Sequence, residues 1–303
     1  MGHNKLGEVA EIFTGVSHTE FEEAHTQRGS FKEWILRDHL SAARRKQFME
    51  AYEQVRAHGL RAKDYLRSVF IKIEPVSKFL QFFTDYAPRT IMGMSDKLQV
   101  TLGPYFSTLS KFYCRVFTMN SPVLYATGHT SEEIGLWYDK WSATLQAQAQ
   151  EDNILFEADA SRFDKNLDDE VFHARGKTAY RAAPAAVRRA YMRKIKKKGY
   201  SRHGVFFKTT GTRASGDSDT SVDNTLINLC FWLWTFDIMG LEPGRDYAMS
   251  AAGDDFIAIV NPLRLRGRGP QARAHFIEEL NEQIALQAHR AGMIWKVIAD
   301  VEK

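Results

Sequence analysis

With 303 residues, 44% hydrophobic and 12% aromatic, the chain can bury a sizeable core with more than one lobe around it, which excludes a disordered polypeptide. Its 41 Lys and Arg against 37 Asp and Glu leave a net charge of only +4, so affinity for a polyanion must come from where the cations sit. Two distant cysteines, Cys114 and Cys230, exclude a disulfide framework and a cysteine zinc site, suit a reducing compartment and read as core residues.

Met1 to Lys5 lacks the charged-then-apolar profile of a signal peptide. Residues 6 to 67 place apolar side chains at helical spacing, as in Phe31, Trp34 and Ile35 and then Phe48, Tyr52 and Val55, and predict a helical scaffold. Arg44, Arg45, Lys46, Arg56, Arg61 and Lys63 give it the basic tint of a solvated helix face. Val69 to Glu74 reads as a strand ended by Pro75, and Ala87 to Met92 as a second one opening after Pro88. Lys72, Lys78 and Arg89 then sit on these strands or their connection, where they could grip a triphosphate; ordinary exposed strand charge is the plainer reading of this stretch alone.

Leu102-Gly103-Pro104-Tyr105 is expected to break the chain before an apolar helix holding Phe112, Tyr113 and Val116. Thr130 with Glu133 forms a capping box, so a helix should run from Ser131 to about Gln148 with Ile134, Trp137, Trp141 and Leu145 on its buried face. His129 stands alone in the loop before it and carries no chemistry. Ile154 to Ala158 is a short apolar strand that delivers Asp159, and Asp164 follows five residues on, so two acids at a strand end and turn can serve one site in different roles.

From Asp168 the chain reads as helix and then turns basic, with Arg188, Arg189, Arg193, Lys194, Lys196, Lys197 and Lys198 interleaved by Tyr191, Tyr200 and His203. Such a block either meets a polyanion or faces solvent. Val205 to Lys208 is a strand entering a polar, glycine-containing loop from Gly211 to Thr220. Ser218, Asp219 and Thr220 are each able to cap the apolar helix that follows. Thr220 and Asn224, four apart, share a helix face and can hydrogen-bond a sugar hydroxyl, while Gly216 lets backbone approach a ligand closely. The run from Leu226 to Leu241 is interrupted by Asn228 and Asp237 and is too short to span a bilayer, so it reads as a buried helix.

Tyr247 to Ala251 and Phe256 to Val260 read as antiparallel strands joined by an acidic turn, Gly253-Asp254-Asp255. Taken alone that turn could be a surface loop. With Asp159 beside it, the three carboxylates would form a cage able to hold two Mg2+ ions, because hard oxygen donors are what that cation prefers. A basic loop from Pro262 to Pro270, a helix from Phe276 to Ala291 ended by Gly292, and a strand from Ile294 to Ile298 carrying Lys296 complete the chain.

The ordered set Asp159-x4-Asp164, Ser215-Gly216-x3-Thr220-x3-Asn224 and Gly253-Asp254-Asp255 resembles motifs A, B and C of viral RNA-dependent RNA polymerases. The wording around it (DASRFD, TRASGDSDTSVDNTLIN, AAGDDFIAIV, with GHTSEEIG upstream) is most similar to the tombusvirus-related, flavivirus-like polymerases of positive-strand RNA viruses, over about residues 69 to 298. The resemblance implies an α+β right-hand fold. Fingers would occupy residues 1–150, with motif F at 69–92, and also a basic insertion at about 172–212. A palm with a ferredoxin-like β-α-β-β core would take residues 151–303, with motifs A (159–164), B (215–224), C (253–255) and D (276–298). Motif E and the thumb find no counterpart here, so a fingers-and-palm portion is expected.

By the same resemblance Asp159, Asp254 and Asp255 would bind two Mg2+ ions, with Mn2+ as a substitute, and Lys296 would serve as general acid toward pyrophosphate. Lys72, Lys78 and Arg89 would bind the triphosphate. Asp164, Thr220 and Asn224 would read the ribose 2′-hydroxyl, and Ser215, Gly216 and Arg213 would position template and nucleotide. Arg188, Arg189, Arg193, Lys194, Lys196, Lys197 and Lys198 would line an RNA channel. RNA template and product, nucleoside triphosphates and other viral replication proteins are the implied partners, in host cytoplasm at membrane-associated replication complexes. Two rivals are a catalytically silent RNA-binding replication protein, for which the basic run would suffice, and a reverse transcriptase, which favours a bulky residue where Asp164 stands.

Overall fold

The computed structural model describes residues 2–72, 90–149, 153–261 and 269–299. Four helices open it: α1 (Gly2–Thr14), α2 (His18–Ala24), α3 (Phe31–Ile35) and α4 (Ala42–His58), followed by a 3-10 turn at Ala62–Tyr65. Ser17, Ser30 and Ser41 cap the second to fourth, each accepting the backbone N–H three residues on. The strand expected from Val69 is β1 (Leu66–Ile71), which starts earlier because Arg67 is drawn inside, and β2 (Thr90–Gly93) follows. Lys72 lies exposed just past β1, whereas Lys78 and Arg89 fall outside the described residues.

The break expected at Gly103-Pro104 does not occur: α5 (Asp96–Val116) runs through it. Packing overrides the local signal here, since a Cβ on Gly103 would lie 2.6 Å from the Trp34 indole, so the glycine serves a close helix-helix approach. Beyond it come β3 (Val123–Tyr125), α6 (Ser131–Ala149), β4 (Ile154–Ala160), α7 (Phe163–Asn166), α8 (Asp169–Lys177), α9 (Ala185–Arg193), β5 (Lys196–Ser201) and β6 (Phe206–Thr210). The chain continues with α10 (Thr220–Ile238), β7 (Tyr247–Ala252), β8 (Asp255–Val260), α11 (Pro270–Arg290) and β9 (Trp295–Ala299). The capping box before α6 forms as the spacing predicts, with Thr130 and Glu133 bonded reciprocally.

The larger sheet has the order β3-β7-β8-β4-β9, in which β4, β7, β8 and β9 are antiparallel neighbours and β3 lies parallel to β7. Alternation along β4 turns Phe156, Ala158 and Ala160 inward and leaves Glu157 and Asp159 on the opposite face. The inward side packs on α10 and α11, where Trp232 stacks on Phe256 at 4.3 Å and Phe231 on Trp295 at 5.3 Å. On the opposite face α6 covers one end of the sheet with Trp137, Trp141 and Leu145 against Leu124, Ala248 and Ile259. The other end of that face stays open, and the acids lie there. Helix α1 seals α10 from behind, with Leu6, Val9 and Ala10 buried.

A smaller sheet, β2-β1-β5-β6, pairs β1 in parallel with β5 and carries Lys196, Lys197 and Lys198 of the basic run. Helix α10 packs on β7 and α1, and its first half is the polar hub described next. The two cysteines are half-buried free thiols.

Candidate active site

The β7–β8 hairpin turns on two residues, Gly253 and Asp254, between the paired Ala252 and Asp255. Gly253 adopts φ +68°, the left-handed conformation that a two-residue hairpin needs and a glycine supplies without strain. Helix α10 clamps this tip. The Gly253 N–H donates to Thr225 Oγ1 at 2.8 Å, and Asn228 Nδ2 donates to the carbonyls of Gly253 at 3.1 Å and Asp255 at 3.2 Å. Thr225 and Asn228 are wholly buried polar residues on an apolar helix, and that break in pattern is the signal that could have singled them out.

In the ladder Asp159 stands directly opposite Asp255 on one side and Lys296 on the other. Directly opposed residues of antiparallel strands share a face, so Asp255, Asp159 and Lys296 form one row across three strands. The row lines an open cleft of about 510 Å³ together with Glu157 and Ser250. Partial burial, then the charges of Asp254 and Asp159, raises the Asp255 carboxyl above its usual range. No ion pair within the described residues relieves that repulsion at Asp159, Asp254 or Asp255. Among the described residues no three His, Cys, Asp or Glu side chains gather as an ion-holding group. The donor chemistry, carboxylate oxygens only and mutually repelling, nonetheless suits a hard divalent ion.

Beside the row sits a second set. Asp164, half-buried at the start of α7, accepts a hydrogen bond at 2.8 Å from Asn224 Nδ2, and Asn224 Oδ1 accepts one at 2.9 Å from Arg213 Nε. Burial raises the Asp164 carboxyl, with Asp254 and Asp217 adding to the rise while Asn224 and Arg213 oppose it. The reach of Asp254 shows that the two sets share one electrostatic neighbourhood. Thr220 Oγ1 donates to the carbonyl of Ala214 at 3.0 Å and so ties the loop to α10.

Several expected roles need correction. The Arg213 side chain is fully buried, with its guanidinium spent on Asp219, Asp223 and Asn224, which does not suit direct contact with template or nucleotide. Lys194 is buried against Asp217 and Asp219, with three carboxylate oxygens within 2.7 Å, and cannot line an RNA channel. Lys197 is equally buried, bonding the carbonyls of Gly211 at 2.8 Å and Thr212 at 2.7 Å. Burial first, then Lys194, Arg67 and Arg213, pulls its amine down to about 7. Alternation along β5 is the reason: Lys196 and Lys198 face out and Lys197 faces in. Arg188, Arg189 and Arg193 remain exposed on α9. Gly216 lies close against backbone: a Cβ there would lie 2.7 Å from the Met92 carbonyl oxygen, and Gly216 bridges Gly93 of β2. Ser215 beside it reaches the Thr90 carbonyl at 3.5 Å.

Asp219 caps α10 by position only, without a side-chain hydrogen bond, because its carboxylate is engaged by Lys194 and Arg213. Asp223 is the centre of the buried network. Its Oδ1 accepts from Arg175 Nε at 2.9 Å and Tyr180 Oη at 2.5 Å, and its Oδ2 from Arg213 at 2.5 Å and Tyr191 Oη at 3.2 Å. Burial pushes this carboxyl up, but Arg175 and Arg213 with the Tyr180 hydroxyl outweigh it and hold the group well below the usual carboxylate range. Nothing in the local sequence marked these partners, which come from segments far apart in the chain.

The facing carboxylates of a hairpin and its neighbouring strand thus lie next to a polar set that runs from Asp164 through Asn224 to the buried Arg213. A sequence model of the family described as viral RNA dependent RNA polymerase matches residues 24–266, and the chain belongs to that family. Its similarity extends to the RNA-directed RNA polymerase of Cucumber necrosis virus, 26% identical over 236 residues, which cover 75% of this chain and 27% of the relative. The RNA-directed RNA polymerase of Tomato bushy stunt virus (strain Cherry) is 25% identical over 236 residues, again 75% and 27% of the two chains. That of Oat chlorotic stunt virus (isolate United Kingdom) is 24% identical over 234 residues, 74% of this chain and 30% of the relative. The chain thus spans less than a third of the length of these curated relatives, and it is tombusvirus-related within the family.

Proposed function

We propose that the chain carries the catalytic centre for RNA-templated RNA synthesis in the replication of a positive-strand RNA virus genome. A 3′-hydroxyl attacks the α-phosphate of a nucleoside triphosphate, the new phosphodiester forms, and pyrophosphate leaves. The observation that carries this reading is the register that sets Asp159 opposite Asp255, with Asp254 at the adjoining turn. Asp159, Asp254 and Asp255 would hold two Mg2+ ions, which when bound would lower the pKa of the attacking hydroxyl and neutralise charge on the leaving oxygens. Lys296 would give a proton to the departing pyrophosphate, a role supported by its register opposite Asp159 in the ladder. Asp164 and Asn224 read the ribose 2′-hydroxyl, supported by their hydrogen bond. Thr220 braces the loop that carries them.

Lys72, with Lys78 and Arg89, is proposed to meet the triphosphate. Arg188, Arg189, Arg193, Lys196 and Lys198 are proposed to meet RNA phosphates. The order β7-β8-β4-β9, with α10 and α11 on one face, supports reading residues 151–303 as a palm with a ferredoxin-like core. Residues 1–150 and the segment at about 172–212 are then fingers. The work is proposed to occur in host cytoplasm at membrane-associated complexes with other viral replication proteins. Among the described residues no helix is long and apolar enough to cross a membrane.

The test replaces Asp159 or Asp254 by Asn in the full polymerase and measures templated nucleotide incorporation and RNA binding separately. Each change removes a carboxylate charge at the reacting centre but no phosphate contact, so incorporation should vanish while RNA affinity stays nearly intact. Incorporation retained in either variant would overturn the assignment, and a wild type that binds RNA without incorporating nucleotide would point to the silent RNA-binding alternative.

A further inference from the structure

Asparagine 224 has a carboxamide whose two ends have nearly the same shape, and only its partners decide which end points where. On one side stands Arg213, whose guanidinium has donors and no acceptor, with Nε 2.9 Å from the amide oxygen. On the other stands the Asp164 carboxylate, 2.8 Å from the amide nitrogen. The reversed amide would set N–H against N–H at Arg213 and oxygen against oxygen at Asp164. Arg213 therefore fixes the polarity of Asn224. It leaves one Nδ2 hydrogen for Asp164 and the second for an incoming oxygen.

Arg213 is itself held from three directions. Its remaining nitrogens bond Asp219 and Asp223, and Asp223 is gripped by Arg175 of α8, by Tyr180, and by Tyr191 of α9. Tyr191 and Arg213 share the same oxygen, Asp223 Oδ2. We infer that Arg213 is a positioning residue for sugar selection, which locks the Asn224 carboxamide so that it donates toward a ribose 2′-oxygen while Asp164 accepts the hydroxyl proton. The segment from α8 to α9 stiffens this lock through Asp223. The inference rests on the proposed role of Asp164 and Asn224 as the pair that reads the sugar. A ribose hydroxyl satisfies both groups, and a deoxyribose satisfies neither.

The experiment is a double-mutant cycle in the full polymerase with one template, comparing kcat/KM for a ribonucleotide and its deoxy counterpart in wild type, Asn224→Ala, Arg213→Lys and the double variant. Lysine keeps the buried charge but cannot span Asn224, Asp219 and Asp223 together. The ribo-to-deoxy ratio should fall by about tenfold in Arg213→Lys and should fall no further when that change is added to Asn224→Ala. A merely structural arginine would lower both substrates alike, and an unchanged ratio, or a shift that persists undiminished without Asn224, overturns the inference. Should Asn224→Ala itself leave the ratio unchanged, the sugar-reading role fails, and the inference with it. Tyr191→Phe, which keeps the ring and removes one bond to the shared oxygen, serves if Arg213→Lys loses its thermal transition. It should lower the ratio by about twofold to threefold, and only where Asn224 is present; no shift in that variant also overturns the inference.

Discussion

Substituting Gly216 by Ala isolates the contact between the loop preceding α10 and strand β2. Gly216 does not have a positive φ, so alanine suits its backbone conformation, and the whole effect comes from space. An added Cβ would lie 2.7 Å from the Met92 carbonyl oxygen, 3.2 Å from its carbon and 3.3 Å from Gly93 Cα. All three are backbone atoms that cannot rotate away. To reach ordinary contact the two segments must separate by roughly 0.7 Å, enough to break the Gly93–Gly216 bridge, and overpacking of this kind costs about 1–3 kcal/mol. The same shift moves β2, whose neighbouring residues are proposed to meet the triphosphate, away from Asn224. Denaturant unfolding should therefore show the loss of stability, and steady-state kinetics should show a raised KM for nucleotide. Gly135→Ala on α6 is the control: it is exposed and helical, a Cβ there meets nothing within 4 Å, and it should gain about 0.5–1 kcal/mol. Unchanged stability and KM in Gly216→Ala would refute the argument that this glycine exists for backbone approach.

Lys194→Met leaves Asp217 and Asp219 buried without their ammonium and should destabilise by about 3–5 kcal/mol in urea unfolding, whereas an RNA-contacting lysine would cost little. Arg188, Arg189 and Arg193 changed to Gln should flatten the dependence of log RNA affinity on log salt, and an unchanged slope would mean that they merely face solvent. Lys197 has a folded-state pKa near 7, below its unfolded value, so between the two the unfolded chain holds more protons and stability rises with pH. Its contribution is lost as pH falls toward 7. Lys197→Met should flatten the pH dependence of unfolding free energy across that window, and an identical slope in wild type and variant would count against the neutral buried amine.

Local pattern alone determined much of this protein. The β-branched apolar run from Phe256 to Val260, the glycine at 253, the capping box at Thr130 and the periodic face of Phe276, Leu280, Ile284 and Ala288 are instructions carried by near neighbours, and each produced the expected element. The spacing of Thr220 and Asn224 set them on one helix, and the acidic residues arrived at strand ends as their surroundings required. Tertiary structure decided which charges remain available. Lys194, Lys197 and Arg213 look like their exposed neighbours in sequence, yet a one-residue alternation and partners up to 25 residues away turn them inward. The same holds for Gly103-Pro104, where contact with Trp34 outweighs a helix-breaking pair. It holds for Asp223, whose fourfold satisfaction depends on Arg175, Tyr180, Tyr191 and Arg213 meeting at one buried point. Burial of a charge is a property of the assembled core: whether a cation binds substrate or stabilises the fold depends on which carboxylates and carbonyls the packing brings within hydrogen-bond reach.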